Sequence, residues 1–263
     1  MSKMRFSVAD WGFWPKAKDQ DGFYDRLKGI GYDGVEMVHQ SRWERARSAG
    51  LTILNLSGPG MMVGLNRREH HAELLPKLRD TIVLAGENGI PQVIVFSGNR
   101  DGQPDEEGLT NCRIGLEAVL PEAARQGVTI VFEMLNSFDH ADYQADHGAY
   151  GFELVRQVAS PQLKLVYDLY HMDRMGEDCR RDIVANLSAI AHLHIADTPR
   201  RTRPRPGGLP DYNTIVPAVV GAGYDGFWGM EFIPEADGFA ELADARAVLL
   251  AAGERPHAGE GTP

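Results

Sequence analysis

The sequence predicts a (β/α)8 TIM barrel, and three observations carry the prediction. Eight short apolar runs alternate with helix-like stretches along the 263 residues. Most of these runs are continuous rather than alternating, as parallel strands covered on both faces must be. Eight β–α alternations in about 250 residues match the count and size of such a barrel. An open doubly wound sheet is the competitor. It usually has fewer strands and a glycine-rich first turn, which ADWGFWP is not.

The strand-like runs are MRFSVAD (4–10), DGVEMVH (33–39), LTILNLS (51–57), PQVIVFS (91–97), VTIVFEML (128–135), LKLVYDLY (163–170), IAHLHIAD (190–197) and FWGMEFI (227–233), each bounded by turn chemistry. Helical patterns lie over 23–31, 68–90, 109–127, 153–159, 182–189, 214–223 and 239–253, several ending in the glycine that favours a helix C-terminus. Pro76 is placed to kink the second of these. No linker divides the chain, so residues 1–253 are expected to form a single TIM-barrel domain. ERPHAGEGTP (254–263) lacks apolar content and reads as a disordered tail.

With a net charge of −10, the chain lacks the dense cations that nucleic acid requires. The two cysteines, Cys112 and Cys179, have no metal-ribbon spacing and indicate no disulfide framework. No apolar run reaches the 18 or so residues that span a bilayer, and the N-terminal stretch has no apolar signal core. A cytoplasmic enzyme acting on a small molecule is the expectation.

In such a barrel the chemistry gathers at the C-terminal ends of the strands. Four consecutive runs end there in polar groups: Glu133, Asp168, His194 and Glu231. Singly, a carboxylate at a strand end is more often a helix cap, and a histidine in an apolar strand more often a satisfied core residue. Together they would bury three carboxylates, which is prohibitive unless a cation neutralises them. Oxygen-rich ligation with one imidazole suits Mn²⁺ or Mg²⁺, with Co²⁺ or Zn²⁺ also able to bind.

FEMLN (132–136), VYDLYHMDRMG (166–176), HLHIADTPRR (192–201) and YDGFWGMEF (224–232) resemble the hydroxypyruvate isomerase branch of the xylose isomerase-like TIM barrels, from about residue 4 to about 250. The resemblance implies that Glu133, Asp168, His194 and Glu231 bind the metal and that Glu133 and Glu231 double as the catalytic acid/base pair. It also implies that His171 and Arg200 contact substrate. Relatives of this kind are often dimers or tetramers, although no segment here marks a homo-oligomer interface. Two features depart from the family pattern. His194 stands where familiar hydroxypyruvate isomerases have Gln, as in the ketose epimerases, and Gly208 stands where the loop motif has Glu.

The expected reaction is metal-dependent isomerisation of an α-hydroxy carbonyl compound through an enediolate: hydroxypyruvate to tartronate semialdehyde (2-hydroxy-3-oxopropanoate). Arg200 would hold the substrate carboxylate. A ketose 3-epimerase of the tagatose or psicose type is the alternative, with its two glutamates working from opposite faces of one carbon. A non-catalytic sugar-binding protein is the rival from another class; it predicts no exchange of carbon-bound hydrogen with solvent. Among other residues, Trp11, Phe13 and Trp14 are candidates for a pocket wall and Glu36 for orienting a ligand. His70 and His71 read as surface, residues 97–102 lack phosphate-loop spacing, and 140–147 reads as a solvent or lid loop.

Overall fold

The third strand run closes the sheet. In the computed structural model, which describes residues 4–254, the strands are β1 (Arg5–Ala9), β2 (Gly34–Glu36), β3 (Thr52–Ile53), β4 (Asn55–Ser57), β5 (Gln92–Phe96), β6 (Thr129–Glu133), β7 (Leu163–Asp168), β8 (Ile190–Ile195) and β9 (Phe227–Met230). They pair in parallel in the order β3-β2-β1-β9-β8-β7-β6-β5-β4. Only Leu54 separates β3, which pairs with β2, from β4, which pairs with β5. One run therefore supplies both edges, and the sheet wraps into a nearly closed barrel with no long edge exposed. Each of the eight predicted runs contains its strand.

Helices cover the outside. The stretch expected at 68–90 is the helix Arg68–Glu87, which continues across Pro76, and 109–127 lies within Asp105–Gln126. The latter ends at Gly127, whose φ of +65° is the left-handed conformation that glycine adopts without a Cβ penalty. A short helix over Trp43–Ser48 had no clear apolar period and was not expected. Cys112 and Cys179 are buried free thiols. Among the described residues no helix is long and apolar enough to cross a membrane. Beyond Glu254, the expected C-terminal tail lies outside the described residues.

Register decides which residues face the barrel axis. In a parallel ladder, partnered residues share a face, and that face recurs every second position. Asp168 is partnered with His194, His194 with Gly229, and Val166 with both Glu133 and His192. Ser7 is partnered with Gly229 and Gly34, and Ala9 with Glu36. One inward row thus carries Glu133, Asp168, His192, His194 and Gly229, and the same alternation turns Ser7 and Glu36 inward. The outward positions, including Phe6, Phe132, Leu193 and Trp228, are buried beneath the helices.

Gly229 provides space within this row. A Cβ there would overlap the Glu36 carboxylate and lie 2.7 Å from His192 Nε2, well inside contact distance. Gly229→Ala is expected to lower folding stability by about 1–3 kcal/mol, the usual cost of overpacking a core. Chemical denaturation with an unchanged m-value would check this.

Candidate metal centre and substrate pocket

Four strand-end side chains converge at the C-terminal mouth. Ligand atoms of Glu133, Asp168, His194 and Glu231 all lie within 4.8 Å of one another, and all four residues are buried. His194 Nδ1 is 3.0 Å from Glu133 Oε1 and 2.8 Å from Glu231 Oε2. Asp168 does two jobs. Its Oδ1 caps the following helix, accepting from Tyr170 N at 2.7 Å and His171 N at 3.3 Å, which leaves Oδ2 toward the cluster. The capping role that a strand-end aspartate ordinarily plays therefore coexists here with a place in the constellation.

Electrostatics at the cluster are unbalanced. Burial pushes the Asp168 carboxyl up to about 7, against the pull of Arg201. Burial also raises Glu133, with His194 opposing. For Glu231 burial acts upward too, but His194 and Arg201 overcome it and hold the group well below the usual carboxylate range. Burial disfavours the His194 cation, yet Glu231 and Glu36 keep its pKa well above an ordinary imidazole. A site that strains its carboxylates in this way calls for positive charge.

In this structure Arg201 supplies part of that charge. Its Nη2 is 2.6 Å from Glu231 Oε2 and 3.4 Å from Asp168 Oδ2, and its Nε donates to the Glu231 carbonyl at 3.0 Å. The guanidinium lies over the rings of Trp11 (5.6 Å) and Tyr170 (5.3 Å). Trp11 Nε1 donates to Glu231 Oε1 at 3.0 Å, so this aromatic is part of the site and not only its wall.

The structure does not bring Arg200 into the cluster. Its side chain is 66% exposed and points to Glu235, 3.6 Å away. The difference is one residue and has a local cause. Asp197 N donates to Thr202 O, closing a tight loop whose exposed tip is Pro199 and Arg200. Arg201, at φ +54°, starts the return and is tied inward by Ile233 N donating to its carbonyl. Counting from His194 cannot tell which of two adjacent arginines a turn directs inward. Gly208 lies against Asp197, where an added Cβ would strike the carboxylate, so a Glu at that position has no room in this loop.

His171 is buried beside the cluster with Nε2 3.4 Å from Asp168 Oδ2 and without a hydrogen-bond partner. Asn136 N donates to its Nδ1 at 3.0 Å, which places the proton on Nε2. Burial, reinforced by Arg201, holds its pKa well below the ordinary value, so it is a neutral donor. Tyr170 and Asp139, hydrogen-bonded at 2.6 Å, stand next to it.

The readings of His71 as surface and of 140–147 as a solvent or lid loop are corrected, and Phe13 and Glu36 are placed. His71 is buried and sits 2.9 Å from the Leu65 carbonyl. The 140–147 segment is largely packed in: Tyr143 accepts from Ser97 N, and Gln144 donates to Asp105. Phe13 stacks edge-on against Phe232. Glu36 lies fully buried below His194, 3.0 Å from its Nε2.

A parallel barrel with a buried carboxylate–imidazole cluster at its C-terminal mouth presents a donor set that could hold a divalent cation where such barrels carry their chemistry. The comparison with known sequences gives the family. Residues 24–249 match the xylose isomerase-like TIM barrel family model, and the chain belongs to that family. It is 32% identical over 245 residues to a 2-oxo-tetronate isomerase of Cupriavidus necator, covering 85% of this chain and 92% of that protein. It is 28% identical over 111 residues to a hydroxypyruvate isomerase of Escherichia coli, an alignment covering 42% of this chain and 43% of that protein. Among solved structures, a family 2 AP endonuclease of Brucella melitensis superposes with a TM-score of 0.82 at 20% identity (92% of this chain, 97% of that one). A D-psicose 3-epimerase of Clostridium cellulolyticum solved with D-tagatose superposes at 0.78 and 16% identity (96% and 100%). At such identities the structural matches speak for the fold.

Proposed function

We propose that the chain is an isomerase of small 2-oxo acids that carry a hydroxyl on the neighbouring carbon, with hydroxypyruvate and 2-oxo-tetronate as the substrates to test. The observation that carries this reading is Arg201, a part-buried guanidinium fork among the carboxylates. A 2-oxo acid has an anionic group for such a fork to hold bidentately; a neutral ketose does not. The 32% identical relative named 2-oxo-tetronate isomerase supports the same substrate class.

The donor set fits a divalent cation. Three carboxylates and one imidazole reach a common point, and Asp168 and Glu133 are strained without added positive charge. Glu133, Asp168, His194 and Glu231 are the residues that would hold it, Mn²⁺ or Mg²⁺ by ligand type. Bound there, a cation supplies Lewis-acid stabilisation of charge developing on adjacent substrate oxygens.

The protein's residues account for the rest. Arg201 is the counter-charge of Glu231 and Asp168 in this structure, and its fork is available to a substrate carboxylate once those charges are otherwise met. His171 Nε2–H, fixed by Asn136, donates to a substrate oxygen. A glutamate removes the proton from the hydroxyl-bearing carbon, giving the enediolate. A proton is returned to the former carbonyl carbon, and the hydroxyl proton moves to the former carbonyl oxygen, so the change is isomeric. Glu231 is engaged by Trp11, His194 and Arg201, whereas Glu133 has a hydrogen bond only from His194 among the described residues. We assign Glu133 as the first proton acceptor on that basis.

Assay of hydroxypyruvate and 2-oxo-tetronate against tagatose and psicose, each with added Mn²⁺, tests the reading. Turnover of the 2-oxo acids is expected; turnover of the ketoses alone would replace it with the epimerase. Metal-dependent deuterium uptake at carbon would exclude a merely binding protein.

The pKa directions also predict how the metal-free protein responds to pH. Between about pH 5 and 8 the stabilising contributions of Glu231 and Glu36, whose pKa values are lowered, are already complete, because both groups are ionised folded or unfolded. Between about pH 6.5 and 8 Asp168, raised to about 7, and His194, raised well above its usual value, hold protons that the unfolded chain has lost, while His171, whose pKa is lowered, is neutral folded or unfolded. The folded state then binds more protons, so stability falls as pH rises through this window. The melting temperature of chelator-treated protein is expected to drop from about pH 6.5 to 8, and Mn²⁺ is expected to restore it most at the upper end.

A further inference from the structure

The geometry points to Glu36 as a positioning residue that makes His194 a competent metal ligand by fixing the proton on its Nε2; this rests on the metal reading above. An imidazole ligates only through a nitrogen lone pair, so the nitrogen facing the cluster must be unprotonated when the ion is held. His194 Nδ1 faces Glu133 and Glu231, while Nε2 is 3.0 Å from Glu36 Oε2 on the opposite side of the ring. A carboxylate at that position keeps the hydrogen on Nε2 and leaves Nδ1 for the ion. It also locks the ring plane and raises the basicity of the ligating nitrogen.

Glu36 is built for this task. It is fully buried, below the His194 ring and away from the mouth. Ser7 donates to its Oε1 at 2.6 Å and Asn55 to its Oε2 at 2.8 Å, while His192 Nε2 lies 2.9 Å from Oε2. Residues from β1, β2, β4 and β8 thus hold one carboxylate on the barrel axis, and Gly229 leaves the space it occupies. A buried charge costs several kcal/mol unless it is satisfied on all sides. Here hydrogen bonds from Ser7 and Asn55 supply part of that satisfaction, His192 lies close without forming one, and the remaining hydrogen-bond partner is His194. This arrangement accounts for two imidazoles in one apolar strand: His194 faces the cluster, and His192 lies 2.9 Å from the carboxylate behind it.

Mn²⁺ affinity is measured by electron paramagnetic resonance for the wild type, Glu36→Gln, His194→Gln and the double variant. Glu36→Gln preserves side-chain shape and is expected to weaken Mn²⁺ binding about 10–100-fold. In the His194→Gln background the same change is expected to have little further effect, because there is no imidazole to orient. Equal affinity in Glu36→Gln, or the same loss in both backgrounds, would overturn the positioning role. If the variant does not fold, ¹⁵N-histidine spectra of Zn²⁺-loaded wild type decide. A slowly exchanging, downfield Nε2–H on His194 is expected, and a metal-free Nδ1–H form in its place would overturn the inference. Wild type that binds neither ion would instead remove the metal site itself, and this inference with it.

Discussion

Glu133→Gln is expected to abolish turnover while leaving the barrel folded. Gln cannot take a carbon-bound proton, and a positioned general base contributes about 10²–10⁴-fold to rate. The variant also loses one of the three carboxylates at the cluster, so Mn²⁺ affinity should fall as well. Two measurements separate the effects. At saturating Mn²⁺ kcat should remain depressed by at least about 10²-fold, and deuterium exchange from solvent into substrate carbon should disappear. If kcat recovers with excess metal, Glu133 is a ligand and not the first base, and the assignment passes to Glu231. The difference between these glutamates is visible in their surroundings: Glu231 is held by Trp11, Arg201 and His194, and Glu133 by His194.

The second large effect is the contrast between adjacent arginines. Arg201→Leu is expected to reduce kcat/KM for a 2-oxo acid by about 10–150-fold, the value of a charge-assisted hydrogen bond of about 1.5–3 kcal/mol. Arg200→Leu is expected to change it by less than about 5-fold, since an exposed ion pair such as that with Glu235 contributes about 0–1 kcal/mol. The loss at Arg201 should appear mainly in KM if the guanidinium binds the carboxylate equally in ground and transition states. Equal effects of the two substitutions would contradict the placement of the substrate carboxylate at Arg201.

The sequence shows the barrel clearly because parallel strands buried on both faces must be apolar throughout, and that pattern is local. The strand-end cluster was legible for the same reason: with side chains alternating at period two and active groups at strand C-termini, positions 133, 168, 194 and 231 can be read directly from their runs. What the sequence hid is set by non-local geometry. Arg201 rather than Arg200 enters the cluster because an Asp197–Thr202 bridge shapes the turn, and no spacing rule encodes that bridge. The role of Glu36 was open because its partners Ser7, Asn55 and His192 come from three other strands. His71 read as surface because its bond to the Leu65 carbonyl depends on how the preceding loop folds back. The helix Trp43–Ser48 was missed because six residues are too few to display a helical period.

Equilibrium titration of chelator-treated protein with Mn²⁺ tests the central claim most directly. One ion per chain is expected to bind the wild type, and substitution of Asp168 by Asn should weaken that binding by at least about tenfold, because a charged first ligand is lost. Wild type that takes up no ion, or an Asp168→Asn variant that binds as tightly as wild type, would contradict it.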